Sequence, residues 1–397
     1  MEPTSTLSEP TAAGPRHLAE VAAVFLRLGC IAFGGPAAHV AMMEEELVRR
    51  RRWLGRNQFL DLYSAAQMVP GPGSTKLAMH LGYQRAGPVG LVVAGLCFIL
   101  PAMLMVMAIA CAYQAAHGMP AFQATLAAIL AGVQPVVIAV VAQALVTLGR
   151  TAFKSRALVV LGALAAIINF FLGHDLLVLF GTGFVAYLVK REWKTSAAPS
   201  AVGWPIVAIV PTTSAVTLGG MFLLFLKIGG LIYGSGYVLL PLLHADFVAN
   251  RGWLTEGQLI DATAIGLVTP GPVFTTATFI GYLLGPAAGV SGPVGAIVAT
   301  IGIFLPAFVF VAISGPLVPH LRKSPGFSAF LDGVNVAGLA LMAVVLVRHL
   351  ASAALVDSVS IVVALVATCL LLRYQVNSAW LVAAGIGIGL VRVAFFS

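Results

Sequence analysis

The chain has 397 residues, of which 60% are hydrophobic and only 9% charged, with a formal net charge of +8. A soluble protein carries about 25% charged residues, so a water-covered globule is excluded and lipid must cover this surface. The positive balance does not point to nucleic acid, because the basic residues flank apolar segments, where they act as topology signals and meet anionic lipid headgroups.

Residues 1–17 are polar, with Glu2, Glu9 and three prolines, and read as a disordered tail without the basic start of a secretory signal. A first repeat is expected over 18–190, a polar linker over 191–202 and a second repeat over 203–397. Each repeat opens with an apolar segment interrupted by glycines, Phe33-Gly34-Gly35-Pro36 in one and Tyr233-Gly234-Ser235-Gly236 in the other. A charged amphipathic stretch to Trp53 or Trp253 follows, then a segment broken by Pro70-Gly71-Pro72 or Pro270-Gly271-Pro272. Four apolar spans close each repeat, at about 89–112, 122–148, 157–172 and 175–190, and at about 294–318, 327–347, 358–372 and 378–396. The runs Val89–Ala112, Leu126–Leu148, Ile206–Leu226 and Val294–Ile313 approach or exceed the ~20 residues of a spanning helix. Open sheet edges cannot face lipid, so the expected fold class is an all-α polytopic membrane protein of two homologous repeats with broken or re-entrant helices.

The duplication is explicit at an offset of 200. Thirteen identities fall in 48 ungapped positions, among them Phe25/Phe225, Gly29/Gly229, Arg51/Arg251, Trp53/Trp253, Gln58/Gln258 and Asp61/Asp261. The loop charges oppose each other between repeats. Arg49, Arg50, Arg51, Arg52 and Arg56 face only Arg251 among Asp246 and Glu256, whereas the next loop is bare in the first repeat and carries Arg322 and Lys323 in the second. By the positive-inside rule the repeats are inverted. Parity then requires the Pro-Gly-Pro segment to enter and return on one side, leaving Arg85 with the Arg49–Arg56 loop. The stretch Leu18–Met43 either spans or turns back.

The run Pro70-Gly71-Pro72-Gly73-Ser74-Thr75-Lys76 is the sharpest local feature. Its prolines stop a helix, Gly71 and Gly73 permit close backbone approach, and a helix starting at Ser74 or Thr75 offers free amides and the positive dipole end to an anion, beside the Lys76 ammonium. The second copy keeps Gly271, Thr275 and Thr276 but has no lysine. Arg27 and Lys227 are aligned cations in apolar runs, where charge usually faces a bundle interior. Asp61 and Asp261 are expected to cap the re-entrant segments, and His39 and His80 to be hydrogen-bonded packing residues. Glu44, Glu45 and Glu46 suggest catalysis less than helical pairs of Glu45 with Arg49 and Glu46 with Arg50. Cys30, Cys97, Cys111 and Cys369 form no metal or disulfide pattern, and no cofactor motif is present.

The run Phe33 to His39, the run Gln67 to Gly73, the run Gly266 to Pro272 and the duplication from about Leu18 onward together resemble the chromate ion transporter family in its long two-domain form. The resemblance implies an inner-membrane exporter that lowers cellular chromate and confers resistance. The residues alone imply a transporter with positively biased breaks for a small anion, in contact with membrane lipids; chromate or a similar oxyanion as the partner is what the resemblance implies. An importer or exchanger of sulfate or a similar oxyanion, and an intramembrane enzyme acting on lipid phosphates through Glu44–Glu46, His39 and the arginines, are the competing readings.

Overall fold

The structure is a computed structural model that describes residues 14–33, 35–116, 120–172, 175–191, 215–232, 239–322, 325–350, 355, 357–374, 376 and 378–396. Most of the expected tail and linker, and the Tyr233–Gly236 break, lie outside the described residues. The described residues are helical, without strands. In the first repeat they form α1 (Pro15–Ile31), α2 (Gly35–Glu44, continued by a π turn to Arg50), α3 (Arg56–Met68), α4 (Gly73–Ala116), α5 (Pro120–Ala152), α6 (Arg156–Leu172) and α7 (Asp175–Arg191). The second repeat follows with α8 (Leu218–Leu231), α9 (Leu239–Leu243, continued by a π turn to Ala249), α10 (Glu256–Val268), α11 (Thr276–Leu284), α12 (Gly292–Arg322), α13 (Pro325–Val345), α14 (Ser358–Tyr374) and α15 (Ser378–Phe396).

Local chemistry sets these boundaries. Pro15 opens α1, where its missing N–H costs nothing. The Thr217 hydroxyl accepts from Gly220 N at 3.1 Å and starts α8 there, so the described helix begins well inside the apolar run expected from Ile206. Thr255 and Gln258 satisfy each other's backbone N–H groups and start α10. This corrects the capping role expected of Asp261, which sits in the second turn; Asp61 likewise follows the α3 cap, Gly55.

α4 is two helices in one run. At Ala86 and Gly87 the backbone leaves helical angles, with Gly87 at φ +62°, and Pro88 begins a second arm. The arms fold back on each other so tightly that a Cβ on Gly82 would lie 2.3 Å from Gly90 O. The second repeat breaks at the same place, between α11 and α12.

Contacts around Glu20 establish two re-entrant hairpins. Its carboxylate accepts from Trp53 Nε1 at 2.9 Å and pairs with Arg51 at 3.5 Å and Arg85 at 2.7 Å. Arg85 also lies over the Trp53 ring. The start of α1, the end of α2, the start of α3 and the end of the first α4 arm therefore meet at one end of the bundle. Between them α1–α2 and α3–α4 each run inward and return, so Leu18–Met43 turns back. The second α4 arm then crosses. Tyr113, about 25 residues and ~38 Å along it, donates to Asp261 on α10 at 3.0 Å. Since α10 starts just after Trp253, the Trp53 and Trp253 ends lie at opposite ends of α4. The repeats are inverted.

Among the described residues four helices are long and apolar enough to cross a membrane: α4, α5, α12 and α13. The flanking pairs α6–α7 and α14–α15 are 17–19 residues long and are exchanged between repeats. α6 and α7 pack on α13, while α14 and α15 pack on α5. The contact is backbone to backbone at Gly132, where an added Cβ would stand 2.1 Å from Gly385 O. Each half completes the other, as small residues at helix crossings permit in lipid.

Candidate functional site

The site is built where the two breaks cross. Pro70 forces Val69 into extended backbone and ends α3. Gly71 then adopts φ +114° and Gly271, its counterpart, +95°, angles that glycine supplies. Gly71 N–H donates to Ile232 O at 2.7 Å, and Gly271 N–H donates to Ala32 O at 2.9 Å. Ala32 and Ile232 are themselves equivalent, at the ends of α1 and α8. Each break thus docks on the first hairpin of the other repeat. The backbones are pressed together: a Cβ on Gly71 would lie 2.9 Å from Ala307 Cβ, and one on Gly271 2.7 Å from Ala102 Cβ.

Beyond the first break, α4 begins at Gly73 and buries Ser74, Thr75 and Lys76. Lys76 has no exposed surface. Its Nζ donates to Val69 O, the carbonyl exposed by the end of α3. Among the described residues no carboxylate pairs with it. A lysine taken out of water with only a carbonyl for company carries its charge at a high cost, which an anion in the break would offset. Among the described residues the Thr75 hydroxyl and His80 Nε2 are buried there without a partner. Ser74 Oγ lies 3.2 Å from His39 Nδ1, and His39 Nε2 lies 3.0 Å from Ala32 O.

The second break has the same backbone and different chemistry. Thr275 and Thr276 turn their hydroxyls onto Pro272 O and Val273 O, each at 2.8 Å. Beside them is a cavity lined by Leu239, Leu243, Thr263, Leu267 and Thr276, with Val141 and Met342 from α5 and α13. The matching positions in the first repeat are His39, Met43, Tyr63, Gln67 and Lys76. The first repeat carries polar side chains at four of these five positions, and the second carries leucines and threonines.

A family model described as chromate transporter matches residues 19–188 and again 219–390, nearly all of both repeats. The chain belongs to the chromate transporter family. Among curated relatives, the chromate transport protein of Cupriavidus metallidurans is 33% identical over 404 residues, covering 96% of each chain. That of Pseudomonas aeruginosa is 34% identical over 343 residues, covering 82% of this chain and 80% of its own. A probable chromate transport protein of Synechococcus elongatus is 34% identical over 331 residues, covering 81% of each. No solved structure matches the chain. This family member is a multi-pass membrane protein, and its relatives carry the names of transport proteins.

The remaining sequence candidates divide. Ser74, Thr75, Lys76, Gly71 and Gly73 share the first break; Gly271, Thr275 and Thr276 share the second. Arg27 and Lys227 point elsewhere. Arg27 is largely exposed and pairs with Glu46 at 3.8 Å; Lys227 pairs with Asp246 at 2.8 Å, which also takes Arg251 at 3.4 Å. Glu46 and Asp246 are equivalent positions, so each cation holds its hairpin closed in the same way. Glu44 pairs with Arg56, Glu45 with Arg49 and Arg50, and Glu46 with Arg50 and Arg51, the expected Glu45–Arg49 and Glu46–Arg50 pairs among them. His39 is hydrogen-bonded, as expected, but its partners Ser74 and Ala32 have no signal in the sequence beyond its place in the run before the first charged stretch.

Proposed function

We propose that this protein carries chromate outward across the cell inner membrane and so confers resistance to it, binding the dianion at the first Pro-Gly-Pro break. The observation that carries the reading is Lys76, fully buried at the start of α4 without a carboxylate partner among the described residues. An oxyanion there takes the ammonium from Val69 O, accepts from the Thr75 hydroxyl and from Ser74, and meets the helix amides that have no intrahelical acceptor. The names of the relatives supply the substrate, and the charge supplies the reason a dianion binds.

Outward movement of two negative charges from an inside-negative cell is favoured by roughly 2.3 kcal/mol per charge per 100 mV, which makes export possible without a second ion. Because each break is docked on the opposite repeat, rocking one repeat against the other opens the site to alternate sides. The paired state of Glu44, Glu45 and Glu46 speaks against the lipid-phosphate enzyme.

Everted membrane vesicles test direction and substrate together. Vesicles containing the protein should accumulate labelled chromate above those from empty-vector cells, and intact cells should hold less. Greater accumulation of chromate and sulfate by intact cells would establish the importer reading instead.

A further inference from the structure

His39 lies next to the proposed anion site, one shared carbonyl away from the contact between the repeats. Its ring is almost fully buried, with the Phe98 ring edge-on at 5.7 Å. One nitrogen, Nε2, faces Ala32 O, and that carbonyl also accepts from Gly271 N–H of the other repeat. The second nitrogen, Nδ1, faces the Ser74 hydroxyl, two residues before Lys76. The equivalent position in the second repeat is Leu239 and the equivalent of Ser74 is Phe274, so this bridge exists once.

The partners dictate the protons. A carbonyl only accepts, so Nε2 carries hydrogen and donates to Ala32 O. In the neutral ring Nδ1 is then an acceptor, and the single Ser74 proton is spent on it. In the imidazolium Nδ1 is a donor, Ser74 Oγ accepts, and the hydroxyl proton is free to turn elsewhere. We infer that His39 couples proton binding to oxyanion binding, by switching Ser74 from a donor committed to the ring into a donor available to the anion beside Lys76. The imidazolium adds positive charge at the same place. Since proton and anion each favour the other, the linkage is reciprocal.

The charged and titratable groups around His39 lie on α1, on α2 and its π turn, and on α4. On α4, Lys76 donates to Val69 O, His80 Nε2 has no partner among the described residues and Arg85 is tied to Glu20. On α1, Arg27 faces Glu46, and Glu20 faces Arg51 and Arg85. The acids after α2 are held by arginines, and no carboxylate among the described residues pairs with His39.

The inference rests on the proposed function, and one experiment separates them. Chromate uptake by proteoliposomes is measured from about pH 5 to about pH 8 for the wild type, His39→Gln and Ser74→Ala. Glutamine can donate to Ala32 O and accept from Ser74, like the neutral ring, but cannot take up a proton. Chromate itself titrates in this range, equally for every protein, so the readout is the difference between profiles. The half-saturating concentration of the wild type should rise with pH about tenfold more than that of His39→Gln, as expected for one lost charge-assisted hydrogen bond. Ser74→Ala should show the flattened profile as well. A uniform drop in His39→Gln at every pH, with the wild-type profile retained, would make the histidine a packing residue and overturn the coupling. No chromate uptake by the wild type would overturn the proposed function and the coupling with it.

Discussion

The two Pro-Gly-Pro breaks are nearly the same backbone put to different uses. Both place glycine at positive φ, both donate that glycine's N–H to the end of the other repeat's first helix, and both press on an alanine of the opposing long helix. After the turn they diverge. The first buries a lysine, two hydroxyl groups and, nearby, two histidines. The second ties its threonines to its own backbone and borders an apolar cavity. A duplicated scaffold keeps what holds the repeats together in both copies, and can afford binding chemistry in one alone.

Moving the charge tests this division most severely. Lys76→Thr combined with Thr276→Lys keeps the composition and the Pro-Gly-Pro turns, and the new side chain enters the cavity beside Leu239 and Leu267. Chromate uptake by this double variant should fall about 100-fold or more, because the new ammonium lacks the Thr75, Ser74 and His39 arrangement and one charged hydrogen bond accounts for about 1.5–3 kcal/mol. Recovery of uptake would show the breaks to be interchangeable.

The scaffold, by contrast, should respond alike in both halves. Gly71→Ala and Gly271→Ala each impose a strained φ and a contact below 3 Å with an opposing Cβ. Each should lower stability by about 1–3 kcal/mol, read as thermal unfolding in detergent. A silent substitution at either position would break the reciprocity of the docking.

Thr276→Val should be much milder. It removes a hydroxyl bonded to Val273 O beside an apolar cavity, so stability should change by less than about 1 kcal/mol and uptake should stay near wild type. Loss of transport would give the second break a binding role.

The smallest effect concerns the elbow before α3 or α10. Arg52 has φ +52° where its counterpart Gly252 has φ +61°. Arg52→Gly should raise the unfolding temperature, relieving about 1 kcal/mol of left-handed strain, with transport unchanged. A lower unfolding temperature would mean that the arginine side chain holds more than its backbone costs.

Much of this was legible before any coordinates. The offset of 200 exposed the repeats, the opposed loop charges their inversion, and parity the second hairpin that returns Arg85 beside Trp53. The Pro-Gly-Pro turns and Lys76 stood out because proline, glycine and a lysine in apolar sequence each have a local physical meaning. What stayed hidden depends on partners distant in sequence. Arg27 and Lys227 looked like a paired lining until Glu46 and Asp246 appeared beside them. Asp261 looked like a cap, but it accepts from Tyr113 and Gln134 across the repeat boundary. The first hairpin was ambiguous because α1 has only 17 residues and turns at glycines that a spanning helix also tolerates. The exchange of α6–α7 for α14–α15 leaves no local trace, since the glycines that permit it, such as Gly132 and Gly385, look like any others in an apolar run.

Lys76 is the centre of the binding chemistry proposed for the first break. Its most direct test is the initial rate of labelled chromate uptake by proteoliposomes holding equal amounts of folded wild-type protein and Lys76→Met, which keeps the length of the side chain and removes the charge. The rate should fall to that of protein-free liposomes. A wild-type rate in Lys76→Met would place the anion elsewhere and leave the first Pro-Gly-Pro break, like the second, a turn that joins two repeats.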